Sequence, residues 1–307
     1  MVDPPPDAAL VRARRRRRRQ ENLAALGLAG PATLLLFLLL LGPTLAVLLL
    51  SLTDWQFGAR TMRFIGLGNY AEMFADRVFR LSLVNTLVYV AVTVPVSVAL
   101  GLGTALLIES RASLQGFYRT VYFLPVTATL IAMAVVWEFL FHPNIGLVNL
   151  VLSRVGIAGR HWLNDPASAL YALAAIGVWQ SLGMNVVLFL AGLKSVPRDL
   201  YDAASVDGAD SAFEQFRRVT WPMLGPTLMF VLVIMAIRSF QVFDTVAVLT
   251  QGGPQKSTEV LLYTMYTEGF TYFRSGYGAA ISVVFLAFVL ALTLIQARIL
   301  DRRIHYA

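Results

Sequence analysis

The chain has 307 residues, of which 57% are hydrophobic and only 14% charged, with a mean hydropathy of +0.67 and a formal net charge of +7. Soluble globular domains run at about 45–50% apolar and about 25% charged, so an ordinary soluble enzyme and a disordered chain are both excluded. The absence of cysteine removes disulfide scaffolds, thiol nucleophiles and cysteine-ligated zinc or iron–sulfur sites, which leaves an all-α integral membrane protein.

Residues 1–27 read as an arginine-rich cytoplasmic tail carrying Arg12 and Arg14 to Arg19. The run is first a topology determinant, and attraction to anionic lipid is compatible with that role. Nucleic-acid binding is not expected, because no aromatic or domain framework accompanies it. Six apolar stretches then follow, each long enough to cross about 30 Å of hydrocarbon as a helix. They lie near 28–52, 82–108, 119–141, 168–193, 223–250 and 276–299, and residues 300–307 form a second tail. The first, almost pure leucine around Gly42 and Pro43, is too long for a signal peptide and reads as an uncleaved span. With the N-terminus inside, sixteen Lys and Arg flank the inner ends, among them Arg111 and Arg119, against eight outside. That bias predicts cytoplasmic termini.

The longest inner loop, 194–222, is built of helix signals. Pro197 suits a first helical position, and Gly208 breaks the helix. Ser211 and Glu214 form an S-x-x-E capping box that opens a second short helix. Phe213, Phe216 and Val219 are spaced by three on that helix, one apolar face on a polar segment that ends at Pro222. Two readings fit: an amphipathic segment lying on lipid headgroups, or a docking helix for a soluble partner.

Polar residues inside spans are costly and mark pathways. Arg238, Gln241 and Asp244 stand at i, i+3 and i+6 of the fifth span, where a continuous helix would put them on one face of about 120°. Gln180 and Asn185 flank Trp179 in the fourth span, and Glu138 neighbours Trp137 in the third. The plainer alternative is that Arg238 and Asp244 neutralise each other and the amides join helices. Trp137, Trp179 and Trp221 read as packing or interface residues.

No catalytic or metal constellation emerges. His142, His161 and His305 are scattered, and Asp207 and Asp210 are explained by helix capping. Neither of the two lysines, Lys194 and Lys256, completes a phosphate-binding P-loop, so any ATP chemistry belongs to another chain.

The loop resembles the E-A-A-x(3)-G-x(9)-I-x-L-P signature of importer permeases of the ATP-binding-cassette superfamily. Asp202, Ala203 and Ala204 stand for E-A-A, followed at matching spacing by Gly208, Val219, Trp221 and Pro222. Asp for Glu, Val for Ile and Trp for Leu are the departures. Phe64-Ile-Gly-Leu-Gly-Asn-Tyr70, Gly146-Leu-Val-Asn149, Trp162-Leu-Asn-Asp-Pro166 and Leu249-Thr-Gln-Gly-Gly-Pro254 resemble segments of the sugar-type branch. The resemblance implies a six-helix type I importer permease in the bacterial plasma membrane, for trehalose or another di- or oligosaccharide. It implies a second permease subunit, two ATPases carrying ATP and magnesium, and an extracytoplasmic solute-binding lipoprotein. It makes Asp202, Ala203, Ala204, Asp207, Gly208, Phe213, Phe216, Arg217, Arg218 and Pro222 the ATPase-coupling set. Arg238, Gln241, Asp244, Gln180 and Asn185 are the candidate substrate pathway. Half of an ion-coupled carrier and a polytopic lipid-modifying enzyme are the rival readings. The first leaves the loop signature unexplained, and the second calls for Asp/His/Glu clusters that are not evident in the sequence.

Overall fold

The structure, a computed structural model, describes residues 8–110 and 115–303. Arg111, His305, the first seven residues of the arginine tail and the last four of the chain lie outside the described residues. Helix α1 (Ala8–Leu36) passes through a π-helical turn at Phe37–Leu41 into α2 (Gly42–Leu50). The arginine run and the first span are therefore one helical rod. The π turn falls where Pro43 has no N–H to donate, and the register is re-set by Gly42 donating to the Phe37 carbonyl.

Beyond this rod come α3 (Gly68–Ala75) and α4 (Arg77–Glu109), the latter capped by Asp76, whose side chain accepts from Val78 N–H at 2.8 Å. They are followed by α5 (Gln115–Thr127), α6 (Leu130–Leu140), α7 (Leu147–Arg154) and α8 (Ala169–Lys194). The remaining helices are α9 (Arg198–Val206), α10 (Ala212–Gln215), α11 (Trp221–Met223), α12 (Gly225–Phe240), α13 (Leu261–Tyr266) and α14 (Ser275–Arg303). Among the described residues the sole extended pairing is the isolated bridge between Thr53 and Phe64.

Four helices are long and apolar enough to cross a membrane: Gly27–Leu50, Arg77–Glu109, Ala169–Lys194 and Ser275–Gln296. Two bent helix pairs bring the number of candidates to six where each pair is counted as one span. Where the sequence predicts one helix over 119–141, Gly116–Thr127 and Leu130–Leu140 meet at 100°. Thr129 is extended there, shortly after Pro125, a residue that cannot continue an unbroken hydrogen-bond ladder. At the fifth span, Ala212–Met223 and Gly225–Phe240 meet at 66°, with Pro226 in the first turn of α12. That span also differs at its far end: α12 stops at Phe240, ten residues short of the predicted boundary.

Helices α4 and α8 form the spine. Val94, Val98 and Ala105 of α4 pack against Val186, Phe189, Leu190 and Leu193 of α8, and Val231 and Met235 of α12 close this cluster. Small residues bring the backbones together. A Cβ on Gly101 would sit 2.5 Å from the Cβ of Asn185, and one on Gly177 would collide with the Tyr89 hydroxyl.

The loops at the end opposite residues 194–222 are closed by buried asparagines. Asn69 donates to the Ser51 and Thr53 carbonyls, both at 2.8 Å, and Tyr70 bonds Ser51 Oγ at 2.7 Å. Asn149 donates to Pro143 O and Arg160 O at 2.9 Å, and its Oδ1 accepts from Trp162 Nε1 at 2.7 Å. Asn85, on α4, donates to Lys256 O at 3.0 Å and Glu259 O at 2.9 Å. The Phe64–Tyr70 and Gly146–Asn149 segments thus each supply one of these asparagine clips, and Trp162 is the partner of the second.

Candidate functional site

Two regions carry the polar and exposed features that packing leaves unused. The first is a cavity of about 100 Å³ between α4, α8 and the segment after α12. Tyr89 and Thr93 line it from α4, Gln180 and Ser181 from α8, and Arg238, Gln241 and Asp244 from the fifth span. The three fifth-span residues do come together, though not as successive turns of one helix. After Phe240 the chain unwinds at Gln241–Phe243 before a further turn leads into the π-helical stretch Val246–Thr250.

No glycine or proline marks that break. It is set by packing: Val242 is buried in the second core cluster, and the Phe243 ring meets Tyr263 at 6.1 Å and Tyr266 at 5.2 Å. Pulling both side chains inward takes the backbone off the helical path. Irregular backbone at membrane depth is tolerated where it is buried in protein or lines a watery cavity.

Arg238, Gln241 and Asp244 are all exposed on this chain. Counting 1.5 Å per residue from Gly225, Arg238 stands about 20 Å along the span, within the hydrocarbon zone. Neither Arg238 nor Asp244 enters an ion pair with any described residue, so mutual neutralisation does not account for them. An exposed guanidinium without an ion-pair partner at the depth of Arg238 cannot face lipid without a large penalty, so it faces an aqueous path or another protein. Gln180 joins this set. Asn185 does not: it is 1% exposed, pressed against Gly101 at the α4–α8 crossing, and its amide makes no hydrogen bond.

Trp137, Trp179, Phe141 and Trp162 form an aromatic ladder beside the cavity. Trp137 meets Trp179 edge-on at 5.3 Å and stacks on Phe141 at 5.3 Å, and Phe141 meets Trp162 at 6.1 Å. These tryptophans pack against one another. Glu138 is exposed on α6.

The second region is the 194–222 loop. Ser211 caps α10, its hydroxyl accepting from Glu214 N–H at 3.2 Å. The Glu214 carboxylate turns to Arg218 at 4.0 Å, so the cap is formed from the serine side. A π-helical turn at Phe216–Thr220 then shifts the helical register. The predicted single apolar face is split as a result. Phe213 is 71% exposed, whereas Phe216 packs half-buried against Trp221 at 5.9 Å and Val219 is buried. Val206 at 88% exposure joins Phe213 as bare apolar surface on the loop. Asp202, Ala203, Asp207, Arg217 and Arg218 are exposed, and Ala204 is half-buried. Tyr201 bonds Thr220 Oγ1 at 2.9 Å and Gln215 donates to Ser205 Oγ at 3.2 Å, which locks the two short helices into one body. Gly208 takes φ +83°, and a methyl group added there would meet nothing within 4 Å, so its role is the left-handed turn and not close approach.

Sequence reasoning missed a buried carboxylate. Glu259 is 0% exposed, pairs with Lys256 Nζ at 3.0 Å and accepts from Thr264 Oγ1 at 3.0 Å. Burial works against the Lys256 charge, yet the hydrogen-bonded carboxylate carries its pKa above the ordinary lysine value. A Cβ on Gly252, at φ +79°, would collide with the same carboxylate, which gives the Gln-Gly-Gly-Pro segment its structural reason. Nearby, Arg274 pairs with Glu72 and with Glu268 at 3.1 Å, and desolvation lifts the Glu268 carboxyl above the usual range against that pull. Among the described residues no three His, Asp or Glu stand together as a metal site.

Residues 97–306 match the sequence family described as binding-protein-dependent transport system inner membrane component. The sn-glycerol-3-phosphate transport system permease protein UgpA of Agrobacterium fabrum is 35% identical over 248 residues, covering 79% of this chain and 83% of that one. The trehalose/maltose transport system permease protein MalF of Thermococcus litoralis is 35% identical over 239 residues, covering 77% and 79%. The sulfoquinovosyl glycerol transport system permease protein SmoG of Agrobacterium fabrum is 33% identical over 281 residues, 91% of each chain. In fold, the chain matches one from the crystal structure of a bacterial alginate ABC transporter in complex with alginate pentasaccharide-bound periplasmic protein. The TM-score is 0.79 at 22% identity, over 93% of this chain and 96% of that one. The chain therefore belongs to the binding-protein-dependent transport system inner membrane components, as a multi-pass permease subunit and not an enzyme.

Proposed function

We propose that this permease carries a carbohydrate, trehalose or another di- or oligosaccharide, into the cell by alternating access driven by ATP hydrolysis on separate subunits. The carrying observation is the break at Gln241–Phe243 flanked by the exposed Arg238 and Asp244, two charges that have no ion-pair partner among the described residues. Interrupted helices with exposed polar groups near mid-membrane suit a solute path between two halves. The charged groups and the amides of Gln180 and Gln241 supply hydrogen bonds of the kind that hold sugar hydroxyls.

In this reading a second permease covers that face, and a solute-binding lipoprotein delivers substrate to the end closed by Asn69, Asn149 and Asn85. Both termini and the 194–222 loop are cytoplasmic, in line with the arginine bias. Phe213 and Val206 enter a groove on one of two ATPases, which hold the ATP and magnesium. Asp202, Ala203, Ala204, Asp207, Gly208, Arg217, Arg218 and Pro222 shape or rim that contact. Closure of the ATPases then moves the loop as one body and biases the spans, which requires contacts that differ between the two states.

The test is affinity purification of the tagged chain in mild detergent, followed by reconstitution with whatever co-purifies. Recovery of a second permease and a P-loop ATPase, with ATP hydrolysis stimulated by a binding protein loaded with trehalose or maltose, supports the proposal. Stimulation by glycerol 3-phosphate instead moves the substrate class from sugar to anionic polyol. Recovery without an ATPase ends the coupling reading.

A further inference from the structure

A second recess lies between α5 and α8, away from the polar cavity. It holds about 420 Å³ and is lined by Arg119, Thr120, Phe123, Leu124, Thr127 and Val187. Arg119 is half-buried, and its Nε and Nη2 are buried with no hydrogen-bond partner. Neither α5 nor α8 contains an aspartate or glutamate, and Arg119 forms no ion pair with any described residue.

The rest of the lining is apolar in effect. The Thr120 hydroxyl donates to Gly116 O at 3.1 Å and that of Thr127 to Leu124 O at 2.8 Å, so both are spent on their own helix. Phe123, Leu124 and Val187 supply the walls. The depth is graded: Arg119 comes three residues after the start of the span at Gly116, and Thr127 lies about 12 Å further in. The guanidinium is thus at headgroup level with apolar wall running inward beneath it. A Cβ on Gly183 would collide with the Tyr122 carbonyl, so α5 rests directly on α8 and holds the recess open beside that contact.

We infer that this recess binds an anionic phospholipid, the phosphate on the Arg119 guanidinium and an acyl chain along Phe123, Leu124 and Val187. An unpaired guanidinium carries donors matched to phosphate oxygens, and the burial of two of its nitrogens makes leaving it unpaired costly. The apolar wall below it favours a lipid over a free, hydrated anion.

The experiment is native mass spectrometry of the purified permease in neutral detergent, titrated with phosphatidylglycerol or with phosphatidylcholine of the same chains. Wild type is expected to retain phosphatidylglycerol about fivefold more than Arg119→Gln, the effect of one basic group at a membrane surface. Arg119→Lys should retain an intermediate amount, phosphatidylcholine should bind all three alike, and millimolar inorganic phosphate should not displace the lipid. Phe123→Trp keeps the charge but narrows the recess, and should lower phosphatidylglycerol retention. It decides the matter if the Gln variant does not elute as a single species. Equal phosphatidylglycerol retention by wild type and Arg119→Gln, or by wild type and Phe123→Trp, overturns the site. Displacement by inorganic phosphate reassigns it to a free anion and overturns the lipid.

Discussion

The amide of Asn149 accepts a hydrogen bond from the indole nitrogen of Trp162 at 2.7 Å, joining two sequence segments thirteen residues apart. The same oxygen accepts from Arg160 N–H at 3.2 Å while the amide nitrogen donates to Pro143 O and Arg160 O, both at 2.9 Å. One side chain therefore ties α7 to the entrance of α8, beside the aromatic ladder that flanks the polar cavity.

Replacing Asn149 by Ala should remove all four bonds and orphan the Trp162 indole, at a cost of roughly 2–4 kcal/mol. Asn149→Asp keeps the acceptor oxygen but sets a carboxylate oxygen against the Pro143 and Arg160 carbonyls in a buried site, so it should be no more stable than Ala. Melting temperature in detergent, read by tryptophan fluorescence, checks the order. An Asp variant that melts as high as wild type would show that the two donated bonds do not hold this loop.

Gly177 lies against the Tyr89 hydroxyl at the cavity wall. A methyl group there must push the tyrosine aside, at about 1–3 kcal/mol for an overpacked core. Gly177→Ala is expected to lower both stability and uptake, and adding Tyr89→Phe should restore part of each. The nearest remaining ring carbon is 3.2 Å from the new methyl, so relief is incomplete. No rescue by Tyr89→Phe would mean that the tyrosine already yields.

Phe213 and Phe216 should separate cleanly. Phe213 is 71% exposed, so Phe213→Ala leaves the stability of the isolated permease within about 0.5 kcal/mol. It should nonetheless reduce ATPase co-purification several-fold. Phe216 packs on Trp221, so Phe216→Ala should lower the melting temperature first. A Phe213→Ala complex as stable as wild type would remove this side chain from the proposed contact.

At Gly208 the φ of +83° and the open space around it predict an order of substitutions. Asn, which tolerates left-handed backbone, should be the mildest, Ala should cost about 1 kcal/mol, and a β-branched Val more. The readout is stability together with ATPase recovery. A strict dependence on side-chain volume, with Asn worse than Ala, would point to crowding by a partner and not to backbone conformation.

Four of the apolar spans and the capped loop were legible because their signals are local: apolar length, Ser211 before Glu214, and Gly208 as a helix break. The breaks were not. The 100° bend between α5 and α6 had Pro125 as its hint, a residue type that also sits inside continuous helices, as Pro95 does in α4. The end of α12 at Phe240 had none, because Val242 and Phe243 are drawn inward by neighbours far away in sequence. Within the site, Arg238, Gln241 and Asp244 were found by their polarity in an apolar run, although the one-face geometry assumed a helix that stops before two of them. Asn185 shows the converse. Its polarity drew attention, but whether an amide faces a cavity or a glycine on α4 depends on packing that no local pattern reports. Glu259 escaped notice because its burial is created by Lys256, Thr264 and Gly252 together.

The unpaired state of Arg238 and Asp244 is itself testable. If the two charges neutralised each other, Arg238→Gln and Asp244→Asn would be strongly coupled, and the double variant would be no worse than either single one. They make no ion pair with any described residue, so each is free to meet solute or another protein. The expected result is near-additivity in uptake: each single substitution lowers transport about tenfold, as for loss of a charged hydrogen bond, and the double variant compounds the two losses. Coupling should stay below about 0.5 kcal/mol, as for sites that share no partner. Stability of the isolated permease should hardly move, because both residues are exposed on it. A double variant that recovers the uptake lost by the single ones would establish the ion pair in the working complex and take both residues out of the solute path.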